Sequence, residues 1–368
     1  MSLYVDFHVL QTVPPSCVNR DDTGSPKTAV YGGSVRARVS SQAWKHAMRE
    51  YFKNLFSAEE LGSRTKYVAD MIASEMLNID SSLSEEECKK KAIKILEEIS
   101  FGFEKEVLKV LFFISNKQVK AIAEKAVNFE IKDEKLNPKK KEDKAIIKSI
   151  IDEFKPCIKN PSVDIALFGR MVASDPTLNY DATAQVAHAI STHAVENEYD
   201  YFTAVDDYKK DDSAGAGYLG TVEFNSSTLY RYATVNVTEL VKILGKENTA
   251  EAVKKFGQAF IFSMPAGKVN TFANRTIPDS VYVTIRNDQP VNLCGAFEEP
   301  VRRSEKGYAK ISEEKLTDYA KNVYNKFAEN PEKAFCVGEK LSEIAESMSC
   351  NQLLSEIESA VNAKLDEV

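Results

Sequence analysis

The sequence predicts an α+β fold built around an antiparallel sheet of the split βαβ kind. Three observations carry this. Short runs of alternating apolar residues recur at widely separated places, 3–10, 34–39 and 281–286. A long helical tract, about 58–160, stands between the second of these runs and the rest. Two β-prone runs, 199–205 and 218–237, flank a charged tip and read as a long hairpin arm feeding back into the sheet.

Taken in order, "LYVDFHVL" (3–10) sets Leu3, Val5, Phe7 and Val9 against Tyr4, Asp6, His8 and Leu10, a strand with one well-buried face. Pro14, Pro15, Asp22, Gly24, Pro26, Gly32 and Gly33 then mark an extended, turn-rich loop. In "SVRARV" (34–39), Val35, Ala37 and Val39 face one way and Arg36 and Arg38 the other. A helix begins after Ser40, a natural N-cap. On it Lys45 and Arg49, four apart, share one face, and Trp44, Ala47, Met48 and Phe52 form the opposing apolar stripe.

The helical tract opens one of its helices with a capping box, Ser84 to Glu87, and continues through 105–127 and 143–154. "KDEKLNPKKKEDK" reads as a charged linker whose Lys139, Lys140 and Lys141 form a solvated run. "VDIALFGRM" (163–171) reads as a strand ending in a turn, and "YDATAQVAHAISTHAV" (180–195) as a helix. Two helices fill 237–263, and the C-terminal stretches 312–328 and 339–366 are amphipathic helices.

Composition narrows the function. The N-terminus lacks the basic start and apolar core of a signal peptide, and no window approaches the roughly eighteen apolar residues of a membrane span. Six cysteines at wide, irregular gaps, with no C-x-x-C, point to buried thiols in a reducing cytosol, not to zinc or a disulfide scaffold. The net charge is −7, yet residues 1–57 carry seven Lys and Arg against four Asp and Glu, which leaves the remainder at −10. A locally basic segment on an acidic protein is a signal for a polyanion.

Most familiar chemistry is missing. Gly215, Gly217 and Gly220 match G-x-G-x-x-G, but neither a buried strand precedes them nor a helix follows, so they mark a flexible arm and not a dinucleotide site. His188 and His193 are five apart, off a shared helical face, and no metal site is predicted. His8 and His46 read as packing or surface residues. Asp21 and Asp22 are candidates for acid–base or Mg²⁺ chemistry, but adjacent residues in an extended loop point apart, and loop fastening is the better reading.

A basic set remains. Arg20 and Lys27 lie on the loop, Arg36 and Arg38 on a strand, Lys45 and Arg49 on a helix face. Ser40, Ser41 and Gln42 stand at that helix's N-terminus, where free N–H groups favour an anion. This makes a phosphate-tracking groove. Tyr199, Tyr201, Phe202 and Tyr218 on the arm are placed to stack on bases or to fill the core of a hairpin.

At these residues the chain resembles a known family. "HVLQTVPPSCVNRDDTGSPKTAVYGGSVRARVSSQAWKHAMR" is similar to the N-terminus of the CasC family, the backbone subunit of the type I-E CRISPR Cascade complex. "VDIALFGRM", "AHAISTHAVENEYDYFTAVDD", "AGYLGTVEFNSSTLYRYATVNV" and "AFEEPVR" resemble it in the same order. The resemblance is close over 3–55 and 162–240, with short echoes to about 303; the helical insert and C-terminus match mainly in length.

The resemblance implies an RRM-like (ferredoxin-like) antiparallel palm from 1–57, 162–198 and 225–368. It also implies helical fingers at 58–161 and a β-hairpin thumb at 199–224. It implies a cytoplasmic, non-catalytic subunit without cofactor or metal. Several copies would line up along one CRISPR guide RNA beside other Cascade subunits, with target DNA reached through the guide and no membrane involved. Carried over by position, Arg20, Lys27, Ser40, Gln42, Lys45 and Arg49 would hold the guide's backbone, and Met171 would pack against a base. Tyr201, Phe202 and Thr203 would wedge at a displaced nucleotide, and Arg302 and Arg303 would add positive charge beside Glu298 and Glu299. The RNP1 aromatic signature of RRM proteins is absent, so binding would use backbone and shape. Two other readings compete: a type III-like RNA-cleaving subunit using Asp21 or Asp22, and a scaffold without RNA contact.

Overall fold

The structure, a computed structural model, describes residues 2–130, 136, 139–204 and 218–367. The chain divides into two units. One comprises Met1–Tyr51, Ala184–Thr238 and Lys246–Val368, and the other Phe52–Thr183 and Glu239–Gly245.

The first unit is organised by its N-terminal strand, β1 (Tyr4–Ser16), which lies antiparallel between the long strand Tyr218–Asn236 and the strand Ser280–Arg286. Phe7 stands opposite Ala233 on one side and Val283 on the other. Beyond Ser280–Arg286 come Lys333–Val337 and a short parallel partner, Glu346–Ser347. Beyond the long strand come Ala184–Val186 and Ala189–Ser191, the latter joining β3 (Ser34–Val39), with β2 (Thr28–Tyr31) outermost.

Both faces of β1 are buried, where the alternation predicts one. Val5, Phe7 and Val9 point to the helix Lys246–Phe262; the Phe7 ring lies 5.7 Å from that of Phe256 and 6.3 Å from that of Phe260. A Cβ at Gly257 would sit 2.6 Å from Phe7, so the glycine lets this helix approach the strand. On the other face, Leu10 joins Tyr230, Tyr282 and Phe297 beneath Leu316 and Ala320 of the helix Ala309–Lys326.

Two polar residues are buried on that second face, Asp6 and His8, and His8 Nε2 has no hydrogen-bond partner among the described residues. Asp6 accepts from Tyr232 Oη at 3.0 Å and from the Val291 amide at 2.9 Å, and burial pushes its pKa up to about 6. His8 Nδ1 is 2.8 Å from Tyr230 Oη, and burial pulls its pKa down to about 3. At Pro14–Pro15, which donate no amide, the pairing with the long strand slips between Val13 and Ser16, and it resumes with Ser16 opposite Asn225.

The second unit packs helices Val68–Ile79, Glu85–Glu98, Asn116–Asn128 and Lys141–Phe154 around Ile72, Ile95, Ile122 and Ile150. The capping box forms as read: Ser84 Oγ accepts from the Glu87 amide at 3.3 Å, and Glu87 Oε2 accepts from Ser84 Oγ at 2.7 Å. The helix expected over 105–127 starts only at Asn116. Val107–Leu108 pairs with Phe103–Glu104, and Phe112–Ser115 with Gly62–Thr65.

Two assignments reverse. "VDIALF" is a helix, Val163–Phe168, closed by Gly169 at φ 77°; a short apolar run has no period of its own, and tertiary context decides it. "ATAQVAHAIS" is two short strands, because Ala184 and Val186 are buried while Gln185 between them is exposed, a period of two that the many alanines obscure. The strands at 28–31 and 333–337 are additions. The arm's strands, Glu198–Ala204 and Tyr218–Asn236, fall where expected. Its charged tip, with Gly215 and Gly217, lies outside the described residues. Among those described, all six cysteines are free thiols, and no helix is long and apolar enough to cross a membrane.

Candidate nucleic-acid interface

The loop from Cys17 to Lys27 is tied by Asp21. Its Oδ1 accepts from the Thr23 amide at 2.9 Å, Thr23 Oγ1 at 2.7 Å and the Ser25 amide at 3.0 Å. The Thr23 hydroxyl, with these amides, holds the carboxyl below the usual carboxylate range. Asp22 is exposed beside it. Among the described residues no group of three or more His, Cys, Asp or Glu is placed to hold a metal ion.

Asn19 stitches the loop to its neighbours. Its side-chain oxygen accepts from the Ser40 amide at 2.9 Å and its carbonyl from the Lys27 amide at 2.8 Å; the Lys27 carbonyl accepts in turn from the Arg38 amide at 2.9 Å. Lys27, Arg38, Asn19, Asn225 and Ser227 thereby line one small cleft of the sheet unit. Arg20 is exposed at the loop's shoulder, bridged to Pro26.

The cleft leads to helix α1 (Ser41–Phe52). Ser40 caps it: its Oγ accepts from the Ala43 amide at 3.3 Å, and the residue is buried, so its hydroxyl serves the helix first. Gln42 is exposed, and Lys45 and Arg49 are half-buried on the face away from Trp44 and Met48. Trp44 fixes the helix on the sheet: the Arg231 guanidinium stacks 3.7 Å from its ring centroid while donating to Gln11 Oε1 at 2.6 Å and to the Phe260 carbonyl.

Arg36 does not join this surface. It is fully buried, and its guanidinium donates to the carbonyls of Ser191 (2.9 Å), Phe297 (3.0 Å) and Glu298 (3.2 Å) and to Ser34 Oγ (2.9 Å). The predicted solvent face of β3 is covered by the turn Leu293–Phe297, and Val35, expected inside, is 46 % exposed. Gly32, at φ 56°, makes the approach: a Cβ there would lie 1.6 Å from the Glu298 carbonyl oxygen.

Beside Arg38 stands His188 instead. It lies between the two short strands 184–186 and 189–191 and brings Nδ1 to 3.3 Å from Arg38 Nη1. Its partner in the sequence motif, His193, is buried instead, stacked 3.6 Å from the ring of Tyr308 and accepting from the Thr228 amide through Nε2 at 3.1 Å. Arg302 and Arg303 are exposed in a separate cleft with Lys315; Arg302 lies 3.8 Å from Glu299, and the segment is pinned by the Val301 amide on the Thr192 carbonyl at 2.9 Å.

The arm's first strand is exposed along its whole length. Pairing sets Tyr201 opposite Thr221 and Phe202 opposite Gly220, so Tyr199, Tyr201 and Thr203 share one face and Phe202 takes the other. Phe202 folds its ring across Gly220, where a Cβ would come within 2.4 Å of it. That contact explains the third glycine of the G-x-G-x-x-G string. At the arm's base Phe224, on the Phe202 face, packs 5.9 Å from Phe272.

In the helical unit, Met171 is 85 % exposed. Its neighbours cause this. Arg170 is buried with its guanidinium on the carbonyls of Leu178 (3.1 Å), Phe113 (3.1 Å) and Ile158 (3.2 Å), and burial lowers its pKa to about 10. Arg170 and Tyr180 exchange two backbone bonds of 2.9 Å, which fixes the turn and turns the next side chain outward.

The fold as a whole is similar to those of chains solved in CRISPR RNA-guided surveillance complexes. A chain of a surveillance complex described as pre-nicking is similar at TM-score 0.81 and 30% identity, over 97% of this chain and 100% of that chain. A chain of a second such complex is similar at TM-score 0.63 and 27% identity, over 97% and 99%. Residues 5–363 match the model of the CT1975-like proteins, and the chain belongs to that Cas family. A comparison with curated proteins returns no match.

Proposed function

We propose that the chain is the guide-RNA-binding backbone subunit of a type I-E Cascade complex. Successive copies assemble along one CRISPR RNA, beside other Cascade subunits in the cytoplasm, and present it for pairing with target DNA. The carrying observation is the near full-length likeness to a chain of an RNA-guided surveillance complex, joined to a basic surface of Arg20, Lys27, Arg38, Lys45 and Arg49. Arginine and lysine grip phosphates without reading bases, and the guide's own pairing supplies sequence specificity.

In this reading Gln42 and the first turn of α1 add polar contacts, and Arg302 and Arg303 add a second basic point. Met171 offers a thioether to a base. Tyr201 and Thr203 wedge from one face of the arm and Phe202 from the other. Arg36 belongs to the fold and leaves the RNA set.

Asp21 is assigned to loop fastening and the subunit to a non-catalytic role. The test is purification of the chain co-expressed with a guide, followed by incubation with Mg²⁺. A discrete retained RNA that survives is the expected result. RNA cut at regular spacing, and no longer cut in Asp21→Ala with Asp22→Ala, would establish the cleaving alternative instead.

A further inference from the structure

Two histidines are exposed, His46 on α1 and His188 beside Arg38. The other two of the four, His8 and His193, are buried. His188 Nδ1 stands 3.3 Å from Arg38 Nη1. A guanidinium only donates, so Nδ1 accepts, and the ring is the neutral tautomer with its proton on Nε2. Partial burial first, then the charges of Arg38 on β3 and Lys27 on the loop, hold the imidazole below its ordinary pKa.

We propose that His188 is a further phosphate contact of this surface and that it takes up a proton from solvent when RNA binds. The inference rests on the RNA-binding reading above. A phosphodiester held by Lys27 and Arg38 neutralises the two charges that disfavour an imidazolium and supplies an acceptor for its N–H groups. One proton moves from hydronium or a buffer acid to Nδ1, forming its N–H bond as the donor's bond to that proton breaks, and Arg38 turns its N–H from the ring to the phosphate. The histidine's pKa is therefore higher in the complex than in the free chain. By linkage, affinity rises as pH falls through the bound-state pKa, stops rising below the free-state pKa, and is level above both.

The test is fluorescence anisotropy with the full chain and a labelled single-stranded RNA at fixed salt. Wild type, His188→Gln, His46→Gln and Lys27→Ala are titrated at intervals from about pH 5.5 to about pH 8.5, a range that spans ordinary histidine titration. Wild type and His46→Gln are expected to tighten by about three- to tenfold on going to the acid end, since one linked proton gives at most about tenfold per pH unit. His188→Gln, neutral throughout, is expected to lose that gain and to match wild type at the alkaline end.

An identical pH slope in wild type and His188→Gln overturns the role of His188, while weaker binding by Lys27→Ala at every pH keeps the RNA-binding reading. No binding by wild type at any pH overturns that reading itself. Calorimetry of wild type in buffers of different ionisation enthalpy reads the proton directly. Zero uptake near pH 6.5, the ordinary histidine value, overturns the proposal without recourse to a variant.

Discussion

Replacing Arg36 by methionine removes a guanidinium and keeps most of the apolar stem, so it separates the two roles open to this residue. In the structure the change strips the Ser191 and Phe297 carbonyls, both in buried bonds, of their donor. An unpaired buried acceptor costs about 1–3 kcal/mol, which gives roughly 2–6 kcal/mol for the two. Against a total stability of about 5–15 kcal/mol this is a large fraction. With a urea slope of about 2 kcal/mol per molar, the midpoint should fall by about 1–3 M.

The chain supplies its own reporter. Its single tryptophan, Trp44, is buried under Arg231 in the sheet unit, so its emission follows unfolding of that unit. Arg38→Met, on the same strand but half-exposed, should weaken RNA binding with an unchanged midpoint. A wild-type midpoint for Arg36→Met, with RNA affinity lowered as in Arg38→Met, would refute the burial argument.

Lys45→Ala with Arg49→Ala should lower the slope of log affinity against log salt by about 1.4, two phosphate contacts at about 0.7 each; an unchanged slope in a salt titration would remove α1 from the interface. Gly220→Val places a side chain where the Phe202 ring lies and should displace that ring, loosening the arm while Trp44 emission stays native. Native mass spectrometry of chain and guide RNA should then show shorter assemblies, and full-length assemblies would contradict a role for that face. The Asp6 and His8 carboxyl and imidazole oppose one another in their pH effects. Folded Asp6, at about 6, keeps a proton that the unfolded side chain releases above about 3.9, so its contribution falls as pH rises from about 4 to 6. Folded His8, at about 3, stays neutral where the unfolded ring is charged, so its contribution falls as pH drops below about 6.5. His8→Asn removes the second effect, and urea midpoints of the variant should fall, relative to wild type, on going from about pH 4 to about pH 6.

The arm, the helical insert and the loop's polar ties were legible because each depends on neighbours close in sequence. Asp21 binds Thr23 and Ser25, two and four residues on. Arg36 and His188 were not legible, because their surroundings come from afar. Arg36 is covered by Phe297 and Glu298, 261 and 262 residues on, and alternation alone cannot announce a lid of that kind. His188 meets Arg38, 150 residues back, and only across strands that the alanine-rich run disguised as a helix. Of the basic set read from charge, five members line accessible surface and one, Arg36, is interior; His188 stands beside Arg38.

The placement of β1 bears on how the chain is made. Its partner Ser280–Arg286 is translated about 270 residues after β1 itself. At about 5–20 residues per second a ribosome takes roughly 14–54 s over that interval. During it the helices of the inserted unit emerge, with their own core, and β1 waits with both edges open until the long strand Tyr218–Asn236 follows. Asp6 and His8 in the middle of the strand and Pro14–Pro15 at its end then act as guards against pairing with other nascent chains, because a buried charge, a polar ring and missing amides all penalise the wrong neighbour. The polar interior of the strand is as useful to the unfinished chain as to the finished sheet.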